Sequence, residues 1–370
     1  MKRLIAVIAL SLPLLFGCTV QWETNLGCTH TKDLSGEMGA EAAQRLLVNA
    51  RSGDLTIRGQ EGLTEVRVGA RACASNRNLL EQMDLKVSQS GDAVQVNVIY
   101  PDRLVNESAW MDLTIDAPAA LVARVDGGSG NTHIVDLAGL DLDKGSGDVE
   151  ILRINGDLKL VTGSGNFRLE EVTGKTTLDS GSGDLVMRKL QGAVRVADKG
   201  SGRFEASELG GSLTIRNLNS GDLVLQSVAG DVQIDDKGSG HFLIRDVGKS
   251  LTMGTVGSGD LVIEGIGGPV TVADKSSGQF EAAGVKGSVE LGSIGSGSMT
   301  LKEIAGDVRV KDKSSGDLEI DGVEGSVLLG DIGSGQADIR HVKGDLVVEA
   351  KSSGDINHSG VVGRIDLPPQ

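Results

Sequence analysis

Aromatic side chains are rare in this chain. They make up 2% of its 370 residues, and from residue 128 onwards there is no tryptophan or tyrosine. Flat aromatic rings give sugar-binding sites much of their apolar contact area, so their scarcity argues against a carbohydrate-active enzyme. The four phenylalanines of this region fall at positions that a strand pattern turns towards the core: Phe167, Phe204, Phe242 and Phe280.

Helical periodicity, long apolar runs and excess positive charge are missing as well. No stretch of 128–370 repeats its apolar residues at helical spacing, which argues against helices there. From residue 18 onwards no apolar segment is long enough to cross a membrane. Lysine and arginine total 36 against 51 acids. Such an acidic surface disfavours nucleic acid and anionic lipid headgroups as partners.

The start of the chain has the features of an export signal. Two basic residues precede an apolar core at 4–16, and residues 15–18 read Leu-Phe-Gly-Cys. This ending resembles the bacterial lipobox, in which the cysteine is lipidated and becomes the first mature residue. The alternative is an ordinary secretory peptide with a chance cysteine. We expect lipidation of Cys18 and, because Thr19 rather than an aspartate follows it, anchoring in the outer membrane. Cleavage would lower the formal net charge from −15 to −17 by removing the two basic residues.

Two further cysteines, Cys28 and Cys73, complete the set of three. An oxidising periplasm permits a disulfide between them. Neither has metal-ligand spacing with a nearby residue. We therefore predict the disulfide, with two separate buried thiols as the alternative.

A Ser-Gly pair returns at a nearly fixed interval. The first three intervals between successive serines are 17, 18 and 18, and the next nine are all 19. A fixed period of this size is typical of a solenoid, in which each repeat buries its apolar face against its neighbours. The serines are Ser129, Ser146, Ser164, Ser182, Ser201, Ser220, Ser239, Ser258, Ser277, Ser296, Ser315, Ser334 and Ser353.

Each repeat contains two short strand patterns. Apolar residues recur three, five and eight positions after the serine and again at twelve and fourteen, with glycine at ten in nearly every repeat. Alternation of period two is typical of a strand with one buried face, and glycine suits tight corners. The pattern predicts an all-β chain that forms a parallel β-solenoid with 19-residue coils. We expect it to be right-handed, because parallel crossovers nearly always are.

A second period, twice as long, lies over the first. Two positions before the serine, lysine alternates with an aliphatic residue: Lys199, Leu218, Lys237, Val256, Lys275, Ile294, Lys313, Ile332 and Lys351. Alternation keeps like charges two coils apart. We expect these lysines to lay their stems on apolar neighbours and to bring their ammonium groups out to water, near the aspartate that precedes four of them. Plainly exposed lysines are the alternative.

The position after each Ser-Gly pair holds the best candidate for chemistry. Stacking would put His241 between Asp222 and Asp260, an arrangement that could bind a metal. The alternative, which we favour, is a solvated ladder of side chains on a corner. Calcium repeats of secreted toxins need a nine-residue period with an aspartate on every turn, which this chain lacks. We therefore predict no catalytic residue, metal or cofactor.

These patterns divide the chain into four parts. We assign 1–17 to the signal peptide, 18–44 to a tether with a weakly indicated helix over 40–47, 45–127 to a β-rich cap and 128–370 to the solenoid. Within the cap, residues 51–57 look like an early coil that Val66 and Val68 would continue. Residues 83–87 and 93–98 look like a hairpin. Pro368 and Pro369 lack the N–H of a further strand and would blunt the open edge.

Three features together resemble a widespread bacterial family. They are the lipoprotein start, the Ser-Gly-Asp-Leu-x-Ile coils and the segment Asp-Leu-Thr-Ile-Asp-Ala-Pro at 112–118. The family comprises β-strand-repeat lipoproteins described as "putative adhesins", with a domain of unknown function, and the likeness runs from residue 45 to the end. The resemblance implies a β-solenoid at the cell envelope and supplies no catalytic residues.

Three functions follow as hypotheses. The first is a non-enzymatic envelope lipoprotein, periplasmic or on the cell surface, whose rigid acidic rod serves adhesion or scaffolding with a protein or polysaccharide partner. The second is a carbohydrate-active β-helix enzyme. The third is a sensor or accessory lipoprotein that binds a partner through its N-terminal cap. A side groove lined by exposed acids and an aromatic residue would favour the enzyme, and a featureless rod with a structured cap would favour the other two.

Overall fold

The computed structural model describes residues 27–101 and 107–369. About 68% of the chain is strand and 2% is helix, and the strands wind into a parallel β-solenoid of about 13 turns. The all-β, parallel-solenoid prediction is confirmed. Among the described residues, no helix combines the length and the apolar character needed to span a membrane.

The N-terminal cap contains strands and one short helix. In chain order these are β1 (His30–Gly39), β2 (Arg45–Arg51), β3 (Leu55–Gln60), β4 (Glu65–Ala74), α1 (Arg77–Gln82), β5 (Asp84–Ser90), β6 (Ala93–Ile99) and β7 (Ala109–Pro118). The helix begins after Asn76, whose Oδ1 accepts a hydrogen bond from the N–H of Leu79 at 3.0 Å, as is usual for an N-cap residue.

The solenoid strands then alternate between two sheets. They are β8 (Val122–Gly127), β9 (Thr132–Leu137), β10 (Gly139–Ser146), β11 (Val149–Ile154), β12 (Leu158–Ser164), β13 (Phe167–Val172), β14 (Thr176–Ser182), β15 (Leu185–Leu190), β16 (Val194–Lys199), β17 (Phe204–Leu209), β18 (Leu213–Leu218), β19 (Leu223–Val228), β20 (Val232–Lys237), β21 (Phe242–Val247), β22 (Leu251–Ser258), β23 (Leu261–Ile266), β24 (Val270–Ser277), β25 (Phe280–Val285), β26 (Val289–Ser296), β27 (Met299–Ile304), β28 (Val308–Ser315), β29 (Leu318–Val323), β30 (Val327–Ser334), β31 (Gln336–Val342), β32 (Leu346–Lys351), β33 (Asp355–Val361) and β34 (Ile365–Asp366).

Each solenoid strand pairs in parallel with the equivalent strand of the next coil. Phe242 on β21 is the partner of Leu261 on β23, and Leu251 on β22 is the partner of Val270 on β24. The apolar positions of the repeat all point inward and are at most 1% exposed in the coil that follows Ser239, namely Phe242, Ile244, Val247, Leu251 and Met253. The repeat pattern therefore corresponds to one continuous core between the two sheets.

The stacking order departs from chain order where the cap meets the solenoid. Strand β2 lies between β6 and β8, and β3 lies between β7 and β9, all in parallel. Residues 51–57 thus belong to an early coil, as predicted. The expected continuation by Val66 and Val68 is wrong, because both lie on β4, which runs antiparallel to β1 and to β7.

The segment assigned to the tether is folded over part of its length. Strand β1, residues 30–39, pairs antiparallel with β4 along its whole length. Its partly buried side chains include Leu34 and Met38, which pack against the core. A Cβ on Gly36 would lie 2.6 Å from a methyl carbon of Val87, so glycine permits the close approach of strand β5. The sequence pattern does not indicate this strand, because polar residues and a glycine separate its two apolar residues.

Two further expectations for the cap have opposite outcomes. The helix over 40–47 is wrong, because residues 45–51 form β2 in parallel pairing with β6 and β8. The hairpin is confirmed, since β5 pairs antiparallel with β6. The short apolar run in β2 is compatible with a helix or a strand by pattern alone. It forms a strand because it pairs with two neighbouring strands, β6 and β8.

Tyr100 follows the end of β6 and contacts the corner at Arg51 and Ser52. Its hydroxyl donates a hydrogen bond to the carbonyl of Ser52 at 2.5 Å, and the guanidinium carbon of Arg51 lies 6.0 Å from the ring centroid. Burial raises the pKa of the Tyr100 hydroxyl above its ordinary value. The chain after β6 is therefore joined to the early coil of the cap by side-chain contacts.

Candidate functional site

The Ser-Gly corner needs glycine for two physical reasons. Its glycine has a positive φ in coil after coil, as in Gly221 with φ of 120°, a backbone conformation that costs other residues more. A Cβ on Gly221 would also lie 2.1 Å from the carbonyl oxygen of Gly202 in the preceding coil. The corners therefore stack closely enough that side-chain atoms are excluded from this column.

Aspartates after the Ser-Gly pair connect successive corners. Oδ1 of Asp184 accepts a hydrogen bond from the backbone N–H of Arg203 at 2.9 Å. Oδ1 of Asp54 does the same for the N–H of Asn131 at 2.7 Å. Each such carboxylate satisfies one backbone donor of the next coil. This structural task explains why acids recur at the position.

The candidate column of Asp222, His241 and Asp260 belongs to the same ladder. Asp222 accepts a hydrogen bond from the backbone N–H of His241 at 3.1 Å, and the His241 ring nitrogen lies 3.6 Å from a carboxylate oxygen of Asp260. The histidine side chain is 75% exposed. No group of three or more histidine, cysteine or acidic residues in the described ranges is placed to hold a metal ion. The column thus forms a corner ladder whose aspartates bond to the backbone.

The lysine column is buried except at its last member, Lys351, which is partly exposed. Lys199, Lys237, Lys275 and Lys313 are each at most 2% exposed, and Lys144, near the start of the solenoid, is 4% exposed. The expectation that their ammonium groups reach water near the preceding aspartate is wrong. Nζ of Lys237 instead donates to the carbonyl oxygens of Gly221 at 3.0 Å and Ser239 at 2.8 Å.

The hydrogen bonds of the ammonium groups in the middle of the column account for the doubled period. Lys275 donates to Gly259 at 2.7 Å, in the preceding coil, and to Ser277 at 2.6 Å, in its own coil. Lys275, like Lys237, therefore serves the corner carbonyls of two coils, whereas Lys313 donates to Ser315 and Gly316 within its own corner. A lysine on every coil would place buried charges about 4.8 Å apart, whereas alternation serves the carbonyls with half the charge. The sequence pattern showed the alternation but not the carbonyl partners.

Burial changes the acidity of these lysines. Desolvation lowers the pKa of Lys237 from 10.5 to about 8, and the nearby Asp222 partly opposes this change. Desolvation also lowers the pKa of Lys199 and of Lys275. The ring of Phe242, whose centroid is 4.2 Å from Nζ of Lys237, offers the ammonium group a cation–π contact.

A shallow groove of about 530 Å³ crosses the outer face of the first coils, and acids line it. Asp148 contributes one of these carboxylates, and it accepts the backbone N–H of Asn166 at 2.9 Å. Glu150 contributes another and pairs with His133 at 3.0 Å and with Arg168 at 3.9 Å. The groove matches part of the pattern that would favour an enzyme, but its carboxylates are engaged in ion pairs and backbone bonds. Its aromatic residue, Phe167, is 2% exposed and belongs to the core.

A wider groove of about 1010 Å³ lies where two turns of the cap, 59–63 and 118–120, meet the first solenoid corners. Its charged wall is built around Arg153, which donates to both carboxylate oxygens of Asp136 at 2.6 and 2.8 Å. These hydrogen bonds from the guanidinium lower the pKa of the Asp136 carboxyl below its ordinary value. Asp136 and Arg153 both have positive φ. The charged wall therefore consists of side chains on residues with left-handed backbone conformation.

The predicted cysteine sites differ in how far the structure describes them. Cys28 and Cys73 are joined by a disulfide, with Cα atoms 5.5 Å apart, a separation typical of disulfides. The bridge ties the residues before β1 to β4. Cys18 and the signal peptide at 1–17 lie outside the described residues.

The chain was compared with protein families, curated proteins and solved structures. No protein-family model and no curated protein matches the chain. A solved structure described as a "putative cell adhesion protein" from Clostridium sporogenes is 14% identical, with a TM-score of 0.28, and covers 57% of this chain and all of its own. A "putative adhesin" from Bacteroides fragilis is 11% identical, with a TM-score of 0.20, and covers 91% of this chain and 97% of its own. A "putative lipid binding protein" from Parabacteroides distasonis is 12% identical, with the same TM-score and coverage.

Two of these three descriptions name adhesion, the description also given to the family that the sequence resembles.

Proposed function

We propose that the chain is a non-enzymatic lipoprotein of the cell envelope, anchored in the outer membrane through Cys18, whose acidic β-solenoid is a rigid adhesin or scaffold. The observation that carries the proposal is the engagement of polar groups in the stack itself. Lysines bond to corner carbonyls, and aspartates such as Asp184 bond to backbone N–H groups of the next coil. These side chains hold coil to coil rather than aim at a substrate.

The architecture suits a role in spacing. Coils repeat about every 4.8 Å, so thirteen of them span on the order of 60 Å. Every coil pairs with the next over its length, and a rod built this way resists bending at any one joint. Its partner would be a protein or a polysaccharide of the envelope, because the acidic surface disfavours nucleic acid.

The second candidate function is partner binding through the cap, and the wider groove favours it. The groove lies between the cap turns and the first corners. At this place the stacking order of the strands departs from their order in the chain. A sensor or accessory lipoprotein would bind its partner there, with the Asp136–Arg153 pair on the groove wall. This candidate needs the groove but not the length of the rod.

The experiment uses cells that display the full chain and three variants. Cys18→Ala tests the anchor, removal of residues 220–257 shortens the rod by two coils, and Arg153→Glu places an acid beside Asp136 in the wider groove. We expect Cys18→Ala to leave the membrane fraction and to abolish cell adhesion, and the shortened rod to weaken adhesion while Arg153→Glu does not. Adhesion lost only with Arg153→Glu would favour the cap function. Release of reducing sugar ends from envelope polysaccharide by the purified protein would overturn the non-enzymatic proposal.

A further inference from the structure

Two coils interrupt the lysine column near its beginning. Thr162 and Ser180 occupy the column position between Lys144 and Lys199, in parallel register with each other and with both lysines. Thr162 is 7% exposed and Ser180 is 2% exposed. The hydroxyl oxygens of both have no hydrogen-bond partner among the described residues. A buried hydroxyl without a partner is costly and calls for an explanation.

The surroundings of Thr162 repeat those of a buried lysine. Phe167 lies five positions after it and is buried, in the same relation as Phe242 to Lys237. The corner carbonyls of Gly147 and Ser164 correspond to those of Gly221 and Ser239, which accept the Lys237 ammonium. Asp148 corresponds to Asp222, whose charge acts on Lys237. The difference is at the column position itself, where Thr162 has no positive charge and Lys237 has one.

We propose that an unhydrated monovalent cation, potassium or ammonium, binds in the core between Thr162 and Ser180 and takes the place of one lysine ammonium group. Carbonyl and hydroxyl oxygens would coordinate it, and the ring of Phe167 would face it. The side chains of threonine and serine are several atoms shorter than that of lysine, and the ion would occupy the place that the outer part of a lysine side chain takes in other coils.

The charge of the site favours a monovalent ion over a divalent one. The described residues contain no cluster of three or more acidic, histidine or cysteine ligands, which zinc and calcium sites use. Where the column carries a charge, it is the single positive charge of a lysine ammonium group, as in Lys199 and Lys237. Water could also bond to the hydroxyls. It would not supply the positive charge that, in the coil of Lys237, lies against the ring of Phe242 and near Asp222.

The test compares thermal unfolding of the full chain in potassium, ammonium, sodium and tetramethylammonium chloride at equal ionic strength. Potassium or ammonium should raise the midpoint by a few degrees over tetramethylammonium, which is too large to enter, because a ligand bound only by the folded state stabilises it. The better of the two identifies the natural occupant. Equal midpoints in all four salts would overturn the proposal and indicate water.

Variants separate this site from general salt effects. Thr162→Lys supplies an ammonium group covalently and should abolish the cation dependence, and Thr162→Val should reduce it in case the lysine variant does not fold. Thr176→Val is the matched control, because Thr176 is also buried with an unpartnered hydroxyl among the described residues but lies outside the lysine column. It should keep the full cation dependence. Loss of cation dependence in Thr176→Val, or its persistence in both Thr162 variants, would contradict the assignment.

A crystal structure grown with rubidium provides a readout independent of stability. Rubidium substitutes for potassium and scatters anomalously. The proposal requires an anomalous peak within coordinating distance of Oγ1 of Thr162. Density at that place without an anomalous signal would show an ordered water and refute the proposal.

Discussion

Nζ of Lys237 lies 4.2 Å from the centroid of the Phe242 ring, five positions further along the chain. The same atom donates hydrogen bonds to Gly221 in the preceding coil and to Ser239 in its own coil. Ser239 also accepts the backbone N–H of Gly221 at 3.1 Å. One buried cation therefore holds two corners together, which makes two coils the physical unit of the rod.

Replacing this lysine tests the unit directly. Lys237→Met keeps the apolar stem but leaves the Gly221 carbonyl without its ammonium donor. We expect the free energy of unfolding at neutral pH to fall by about 1–3 kcal/mol, the usual cost of a buried acceptor left unpaired. Urea unfolding followed by circular dichroism measures it. Leu218→Met, in the same column one coil earlier, is the control and should cost less than about 1.5 kcal/mol. Equal losses in the two variants would show that the ammonium group contributes nothing specific.

Stability should rise with pH in the alkaline range. The folded-state pKa of Lys237 is about 8, below the ordinary value of 10.5, so between these two values the unfolded chain binds more protons than the folded chain. The free energy of unfolding then increases as pH rises through this window. Burial lowers the pKa of the other column lysines as well, and they act in the same direction. Urea midpoints at both ends of the window measure the rise, which should be smaller in Lys237→Met. A fall in stability over the window would contradict this account.

A left-handed corner in each coil offers a stabilising substitution. Ser227 has a φ of 58°, and the equivalent residues of later coils include Gly265 and Gly284, also at positive φ. Non-glycine residues pay roughly 1–2 kcal/mol for this conformation. Ser227→Gly should therefore raise the free energy of unfolding by up to about 1 kcal/mol, after the entropy cost of glycine. Ser207→Gly, within strand β17, should instead destabilise by about 0.5–1 kcal/mol. Thermal melts of the two variants measure these changes in stability. A change of the same sign in Ser227→Gly and Ser207→Gly would refute the explanation.

The disulfide prediction has a chemical test. Mass spectrometry of unreduced protein should recover a peptide in which Cys28 is linked to Cys73. Replacing both by alanine should lower the free energy of unfolding by about 2–4 kcal/mol, because the bridge restricts the unfolded chain. Two free thiols after purification under oxidising conditions would refute the bridge. The variant should leave the solenoid strands intact, since the bridge lies in the cap.

The repeat could be predicted because one pattern recurs thirteen times. Alternation of apolar residues, such as Leu261 and Ile263, marked the strands, and Ser-Gly marked the corners. The chemistry of the lysine column could not be predicted, because its partners are backbone carbonyls and every residue carries one. The pattern showed that Lys237 shares a position with Leu218, but not that two corners open towards its ammonium.

The cap was harder to predict for a topological reason. Strand β3 pairs with β7 and β9, which come much later in the chain, and no fixed period relates these segments. Strand β1 contains Gly36 and several charged residues, which a local strand pattern disfavours. Its pairing with β4 and packing on Val87 outweigh that preference. Hairpin β5–β6 needed only adjacent residues, and it was predicted correctly.

The most direct test of the two-coil unit compares two deletions. Removing residues 220–238 stacks the coil of Phe204 directly on that of Phe242, sets Leu218 beside Val256 and deletes Lys237 together with the Gly221 corner. Removing 220–257 preserves the alternation, so that Lys199, Leu218 and Lys275 follow one another. Forcing large side chains into one layer costs about 1–3 kcal/mol.

Thermal unfolding of the two deletion proteins is the deciding measurement. The account predicts that the protein lacking 220–257 unfolds at the higher temperature, although it has lost two coils of the core rather than one. If the protein lacking 220–238 were equally stable or more stable, that result would contradict the claim that one lysine and two coils form the unit of this fold.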